Sequence, residues 1–270
     1  MSRTRFFAAG LLAVGALLVP SAVAAAGTVT MSGSTSVFPL AAQLASKYKA
    51  VNKNFHYRIF QGGSDIGIAD VARGRVTIGD SSRDPTDSDP GGITFNKIAR
   101  DAVCIVTNPA NHLGNLSQEQ IQSIFSGRVR DWGDVPGASV KGPITLVVRN
   151  AASGTQDAFQ NIFMGQDLRV ASSASQKTSN GLVQQAVHSP QNKTAIGYVS
   201  FKFASGLNPV SYQGVGCSLR NAKSGQYGGT RNFWMVTRGK ASGLAKSFIG
   251  WIRSNATAKR ITAGDWVPLR

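Results

Sequence analysis

The sequence predicts an α/β fold built on a largely parallel sheet. Apolar runs of strand length alternate with stretches of helical period, and the early runs each end in a turn rich in Gly, Ser and Thr. No long internal repeat and no low-complexity linker interrupts that alternation. In such folds ligands bind beyond the carboxyl ends of the strands, so the hydroxyl-rich turns are expected to share one crevice.

Val29 and Met31 mark a first short strand and Gly33-Ser34-Thr35-Ser36 its turn. Val37, Ala41, Leu44, Ala45 and Tyr48 then form one face of a helix that tolerates Pro39 in its first turn. A second strand, His56 to Phe60, runs into Gln61-Gly62-Gly63-Ser64-Asp65. The following helix carries Ile66, Ala69 and Ala72 and stops at Gly74. Arg75 to Ile78 reads as a third strand opening into the turn Gly79 to Pro85, and Asp87 to Gly92 as a loop. Ile98 to Asn108 is a long apolar strand able to cross from one lobe to another.

Ser117 and Gln120 stand at capping-box spacing, with Leu116 and Ile121 placed as a hydrophobic staple, and the helix they start ends near Gly127. A loop from Arg130 to Pro143 leads to an apolar strand that ends at Arg149. A helix with Ala158, Phe159, Ile162 and Phe163 follows. After the polar segment Ser172 to Ser179 come a helix with Leu182, Val183, Ala186 and Val187 and a return strand, Ala195 to Val199. Phe233 to Val236 is a candidate second crossing. One last helix, with Leu244, Phe248, Trp251 and Ile252, is expected on the lobe that holds the N-terminus.

The first residues have the organisation of an export signal. Arg3 and Arg5 precede a stretch, Phe6 to Leu18, that is apolar apart from two glycines, and small residues at 22–26 offer a cleavage site. No cysteine follows that stretch, so a lipid anchor is not expected, and the mature chain is expected to be soluble outside the cytoplasm. Its charge is strongly positive: removing Arg3 and Arg5 from the +16 of the whole chain leaves +14. Such a field concentrates anions near the surface. Nucleic acid is the weaker partner class, because Lys47, Lys49, Lys53, Arg73, Arg75, Arg128 and Arg130 are scattered and do not interleave with aromatics. His56, His112 and His188 lack metal-ligand spacing, so neither metal nor cofactor is expected. Cys104 and Cys217 would persist as a disulfide in an oxidising compartment, while the apolar neighbours of Cys104 equally suit a buried thiol.

The chemistry concentrates in Arg149-Asn150-Ala151-Ala152-Ser153-Gly154-Thr155, between a strand and a helix. Ser153 and Thr155 put hydroxyls on the first helical turn, Gly154 admits a close neighbour, and Arg149 offers a planar fork of donors suited to a tetrahedral oxyanion. The same residues would also serve a plain helix start, with Ser153 as N-cap and Arg149 on the surface. A hydrolase using Ser64 or Ser153 needs a general base, and no histidine stands in a motif that would present one. No catalytic residue is expected.

Gly33-Ser34-Thr35, Gly62-Gly63-Ser64, Ile78-Gly79-Asp80-Ser81-Ser82-Arg83, Ile124 to Arg128 through Trp132, Arg149 to Thr155 and Ile196 to Val199 together resemble the periplasmic phosphate-binding proteins of the high-affinity phosphate ABC importer. The likeness runs in order from about Thr28 to Pro268. It implies a two-lobed periplasmic-binding-protein fold of type II with two crossing strands. Residues 27–103 and 231–270 would form one lobe and 104–230 the other, in a monomer that passes inorganic phosphate to the importer's membrane subunits. Carried over by position, the ligand set is Thr35, Ser36, Ser64, Arg149, Ser153, Gly154 and Thr155. Some members place a proton-accepting aspartate where this chain has Ser82. Asp65, Asp80 and Asp84 are then the candidate acceptors, Asp80 ahead of the others, and Arg83 is a further candidate ligand. Sulfate or molybdate binding, or an adhesive use of the basic exterior, are the alternative functions.

Overall fold

The computed structural model describes residues 27–269, so the expected export signal lies outside the described residues. Alternating apolar residues in β1 (Gly27–Gly33) lead to α1 (Phe38–Val51), which buries Leu40, Ala41, Leu44, Ala45 and Tyr48 along one stripe. β2 (Phe55–Gln61), α2 (Ser64–Ala72), β3 (Ile78–Ser81), β4 (Ile93–Thr107), β5 (Asn115–Leu116) and α3 (Gln118–Phe125) follow. Then come β6 (Thr145–Arg149), α4 (Gly154–Phe159), β7 (Ser175–Lys177), α5 (Asn180–His188), β8 (Ala195–Ser200), β9 (Asn208–Pro209) and β10 (Ser211–Tyr212). The chain closes with α6 (Leu219–Ser224), β11 (Thr230–Arg238), α7 (Gly243–Ser254) and α8 (Ala256–Asp265).

One curled sheet runs β2-β1-β3-β11-β4-β8-β6-β7, with β9 added to β4. β1 is parallel to β2 and β3, and β6 is parallel to β7 and β8, as the strand-turn-helix alternation predicts. β4 and β11 join these parallel halves. Residues Ile93 to Ala102 of β4 pair antiparallel with β11, whereas Val103 to Thr107 pair antiparallel with β8. The switch of partner divides two hydrophobic cores. Met31, Leu44, Phe55, Phe233, Phe248 and Trp266 belong to one; Val106, Phe125, Trp132, Phe159, Phe163 and Tyr198 belong to the other.

Local chemistry explains where the elements depart from expectation. The third strand begins at Ile78, where Arg75 was its expected start, and continues through Asp80 and Ser81. Gly79 permits this, since a Cβ there would stand 2.3 Å from the Gly67 carbonyl oxygen of α2. That close approach also turns α2 so that Gly67, Ile68 and Val71 are buried and Ile66 is exposed. β4 starts at Ile93, earlier than its apolar run, because the amide of Asn96 donates to Met235 O and Thr237 Oγ1 and is satisfied inside the sheet. The single last helix expected is two: Asn255 ends α7, and its Oδ1 caps α8 by accepting from the Thr257 and Ala258 N–H groups. The capping box of α3 forms as its spacing predicts.

Cys104 and Cys217 are bonded, with Cα atoms 5.6 Å apart, and stand 113 positions apart in sequence. Cys104 stands in β4 just past the change of partner, so the bridge ties the crossing strand to the later part of the second core. Closing a loop of ~100 residues is worth about 4–5 kcal/mol in chain-entropy terms. The double replacement of Cys104 and Cys217 by alanine should lower the unfolding free energy by about 2–5 kcal/mol, read from the denaturation midpoint under non-reducing conditions.

Candidate functional site

The turns that close β1, β3 and β6 and the first turns of α2 and α5 meet in one buried hydroxyl cluster. Ser34 accepts from the Ser36 and Val37 N–H groups, which starts α1, and donates to Ser82 Oγ at 2.8 Å. Ser64, the first residue of α2, accepts the Ser82 N–H at 3.0 Å, and its hydroxyl lies 3.4 Å from Ser82 Oγ. From the first turn of α4, Thr155 Oγ1 lies 3.0 Å from Ser36 Oγ. Gly154 makes this approach possible: a Cβ at that position would stand 2.4 Å from Ser64 Oγ and 2.8 Å from Ser82 Oγ. Ser153 caps α4, its oxygen accepting from the Thr155 and Gln156 N–H groups.

Arg149 is the electrostatic centre. Only 2% of it is exposed, which rules out the plain surface-arginine reading. Its guanidinium donates to Lys177 O at 3.2 Å, to Thr178 O at 2.9 Å and to Thr155 Oγ1 at 3.5 Å, and its backbone N–H to the Tyr198 hydroxyl. Among the described residues no carboxylate pairs with it. Burial, helped by the like charge of Arg231 and opposed by Tyr198, pushes its pKa down to about 10.

Three residues that sequence reasoning did not select complete the cluster. Arg231 of β11 donates from Nη2 to Ser36 Oγ at 2.8 Å and from Nη1 to Ser82 Oγ at 3.4 Å. Its Nε and Nη2 both reach Asp101 Oδ2, at 3.1 and 2.9 Å; Asp101 is its partner across the β4–β11 ladder. Burial raises the Asp101 carboxyl and lowers the Arg231 guanidinium, each against the pull of the other. Asn180, at the start of α5, donates to Thr35 Oγ1 at 3.0 Å and Ser36 Oγ at 2.8 Å, so it bonds across the cleft. The available signal was a charge inside each apolar crossing strand, where an ionised side chain needs a partner. Asn180 left no such trace.

The structure thus brings together Thr35, Ser36, Ser64, Ser82, Arg149, Ser153, Gly154 and Thr155. It does not bring in the side chains of Asp80 and Arg83. Asp80 is within β3, beside Gly33 and Met235 in the ladder, and shares the sheet face of Ile78 toward the first core. Its Oδ1 is buried without a partner, and burial raises its pKa well above the usual range. The guanidinium of Arg83 is held by Asp65 at 2.7 Å and Asp89 at 2.6 Å. Despite the opposing effect of burial, those carboxylates raise its pKa. Asp65 and Asp89 thereby keep Arg83 occupied at the rim, and Asp84 accepts from Asn232 and Trp234. Ser82 and Arg231 also line a cavity of about 180 Å³ with Arg83, Arg100 and Asp157, so the cluster borders space suited to small ions.

Residues 19–256 match the family model of the PBP superfamily domain. The chain belongs to that superfamily. The phosphate-binding protein PstS of Bacillus subtilis (strain 168) is 28% identical over 251 residues, covering 91% of this chain and 82% of the relative. PstS of Borreliella burgdorferi is 26% identical over 223 residues, 78% of this chain and 79% of its own length. Among solved structures, a Clostridium perfringens protein assigned as a phosphate ABC transporter substrate-binding protein, with bound phosphate, superposes with a TM-score of 0.84. That pair shares 29% identity over 90% of this chain and all of the other. An ABC-type phosphate transport receptor from Vibrio cholerae gives a TM-score of 0.72 at 28% identity, covering 89% of this chain.

Two consequences follow from the geometry of this superfamily member. A Cβ at position 154 collides with both serines, so Gly154→Ala should hold the lobes apart, seen as a larger radius in solution scattering on a variant whose circular dichroism is unchanged. Burying an unpaired guanidinium costs free energy that an apolar side chain of similar length does not. Arg149→Met should therefore stabilise the anion-free protein by about 1–3 kcal/mol, measured as a higher denaturation midpoint.

Proposed function

We propose that this protein is an extracytoplasmic solute-binding protein that captures inorganic phosphate between its lobes and delivers it to an ABC importer. The observation that carries the reading is Arg149, a buried guanidinium without a carboxylate, surrounded by hydroxyls of both lobes. Such a group requires an anion for its charge and a polyoxygen ligand for its neighbours. Phosphate meets both needs, and the proteins of like sequence and structure are named for binding or transporting it.

In this reading residues 27–103 and 231–270 form one lobe, 104–230 form the other, and an export signal in 1–26 delivers a monomer to the periplasm. The ligand shell comprises Thr35, Ser36, Ser64, Ser82, Arg149, Ser153, Gly154 and Thr155, with Arg231 and Asn180 holding the hydroxyls. The protein binds and does not catalyse. The relatives of like sequence are named as phosphate-binding proteins, which supports that reading.

Titration of phosphate-stripped protein with inorganic phosphate, followed by calorimetry, tests the assignment. The parent should bind, and Arg149→Ala should lose about 2–5 kcal/mol, because hydroxyl dipoles alone do not balance a desolvated anion. A folded Arg149→Ala protein that binds at parental strength would overturn it.

A further inference from the structure

Charge is not spread evenly over this molecule. α1, α7 and α8 pack on one another and all three lend side chains to the first core, so they form one helical layer with a solvent face. That face carries Lys47 and Lys49 of α1, Lys246 and Arg253 of α7, and Lys259 and Arg260 of α8, all exposed. The same three helices hold a single carboxylate, Asp265, and Lys202 from outside the layer pairs with it. Among the described residues none of the six cations has a carboxylate within ion-pair distance, whereas Arg75, Arg83 and Arg231 each have one. Like charges gathered on one layer repel each other, and an external negative surface relieves that repulsion.

Apolar groups stand among these cations. Val51, the last residue of α1, is 68% exposed. Trp251 of α7 is half-buried, its ring 5.2 Å from that of Tyr48. Arg253 and Lys259 also line a cavity of about 260 Å³ whose other walls include Ile98, Ile252, Pro268 and Leu269. Only Nε of Arg253 bonds to a described residue, donating to Lys97 O at 2.9 Å. The cavity thus sets two cations against aliphatic walls, which suits a phosphodiester attached to hydrocarbon.

We propose that the α1–α7–α8 layer docks on an anionic phospholipid surface, by contacts separate from the interlobe cluster. A bilayer meets both halves of the pattern: lysine and arginine gain from its negative surface potential, while an aliphatic or indole side chain enters the headgroup level. The phosphates of a nucleic acid meet only the first half. Lys47 and Lys49 lie about three helical turns from Ser36, so the layer can hold a membrane without closing over the cleft. Confinement to that plane raises the concentration of the protein facing any membrane-bound partner.

The test is co-sedimentation of the protein with vesicles of phosphatidylcholine alone and with vesicles holding about one-third phosphatidylglycerol. At physiological ionic strength partition onto the anionic vesicles should be at least about tenfold stronger, and about 1 M salt, where the Debye length is ~3 Å, should release the protein. A smaller preference, or retention undiminished by salt, overturns the proposal. Lys47→Gln, Lys49→Gln, Lys246→Gln and Lys259→Gln, combined, remove four exposed charges that are in no ion pair among the described residues. At about fivefold per basic residue near a charged surface, that variant should lose ~100-fold or more in partition with parental circular dichroism. A matched variant with Arg128, Arg130, Lys141 and Lys193 changed to glutamine loses the same charge outside the layer and should lose far less. Equal losses in the two variants would assign the attraction to net charge alone and overturn the proposal. Binding to a DNA duplex but not to anionic vesicles would overturn it in favour of nucleic acid. Saturating inorganic phosphate should leave the partition unchanged, and release from the vesicles by free phosphate would place the contact in the interlobe cluster and overturn it as well.

Discussion

A positive charge enclosed by protein and matched by no negative one is the constraint behind this architecture. Arg149 is held by two backbone carbonyls and a hydroxyl, and those dipoles orient the guanidinium without neutralising it. Such a charge costs folding free energy that an external anion at that position would offset. Every other feature of the site follows from bringing oxygen-directed donors to that point. Parallel strands deliver turns to a common edge, and two lobes deliver them from opposite sides. Neither parallel half of the sheet supplies the cluster alone, since Ser36 and Ser82 follow β1 and β3 whereas Thr155 and Asn180 begin α4 and α5, after β6 and β7.

The second arginine of the cluster shows the contrast. Arg231 is as deeply placed, yet Asp101 lies directly across the ladder and takes its Nε and Nη2. The pair contributes hydrogen bonds without net charge. Its reach to Ser36 and Ser82, together with that of Asn180 to Thr35 and Ser36, holds hydroxyls that would otherwise rotate among several partners. The site thus separates two tasks, charge at Arg149 and orientation at Arg231 and Asn180.

Much of this was legible in the chain because it rests on local patterns. Period and turn composition locate α1, the capping box of α3 and the strand before Arg149, and the run Arg149 to Thr155 marks the strand-to-helix turn that brings Arg149 and Thr155 into the hydroxyl cluster. The misreadings share a cause in tertiary contact. Asp80 reads as a turn residue from its neighbours, but the packing of Gly79 on Gly67 extends β3 through it and strand alternation turns it inward. Arg83 reads as a further candidate ligand, but Asp65 and Asp89, the latter six residues on, hold its guanidinium. Arg231 and Asp101 are 130 positions apart, and only the sheet register shows that they are one pair.

The placement of the disulfide bears on how the two lobes turn against each other. β4 gives up β11 and takes β8 between Ala102 and Val103, and Cys104, the next residue, is fastened to Cys217. On the other side of the switch, Asp101 is clamped by Arg231 and Ser200. Torsion in this strand is thus confined to two residues, Ala102 and Val103, between a covalent staple and an ionic one. The chain carries a short torsion bar whose ends are fixed by different chemistries, one answering to the redox state of the compartment and the other to the charge of the cleft.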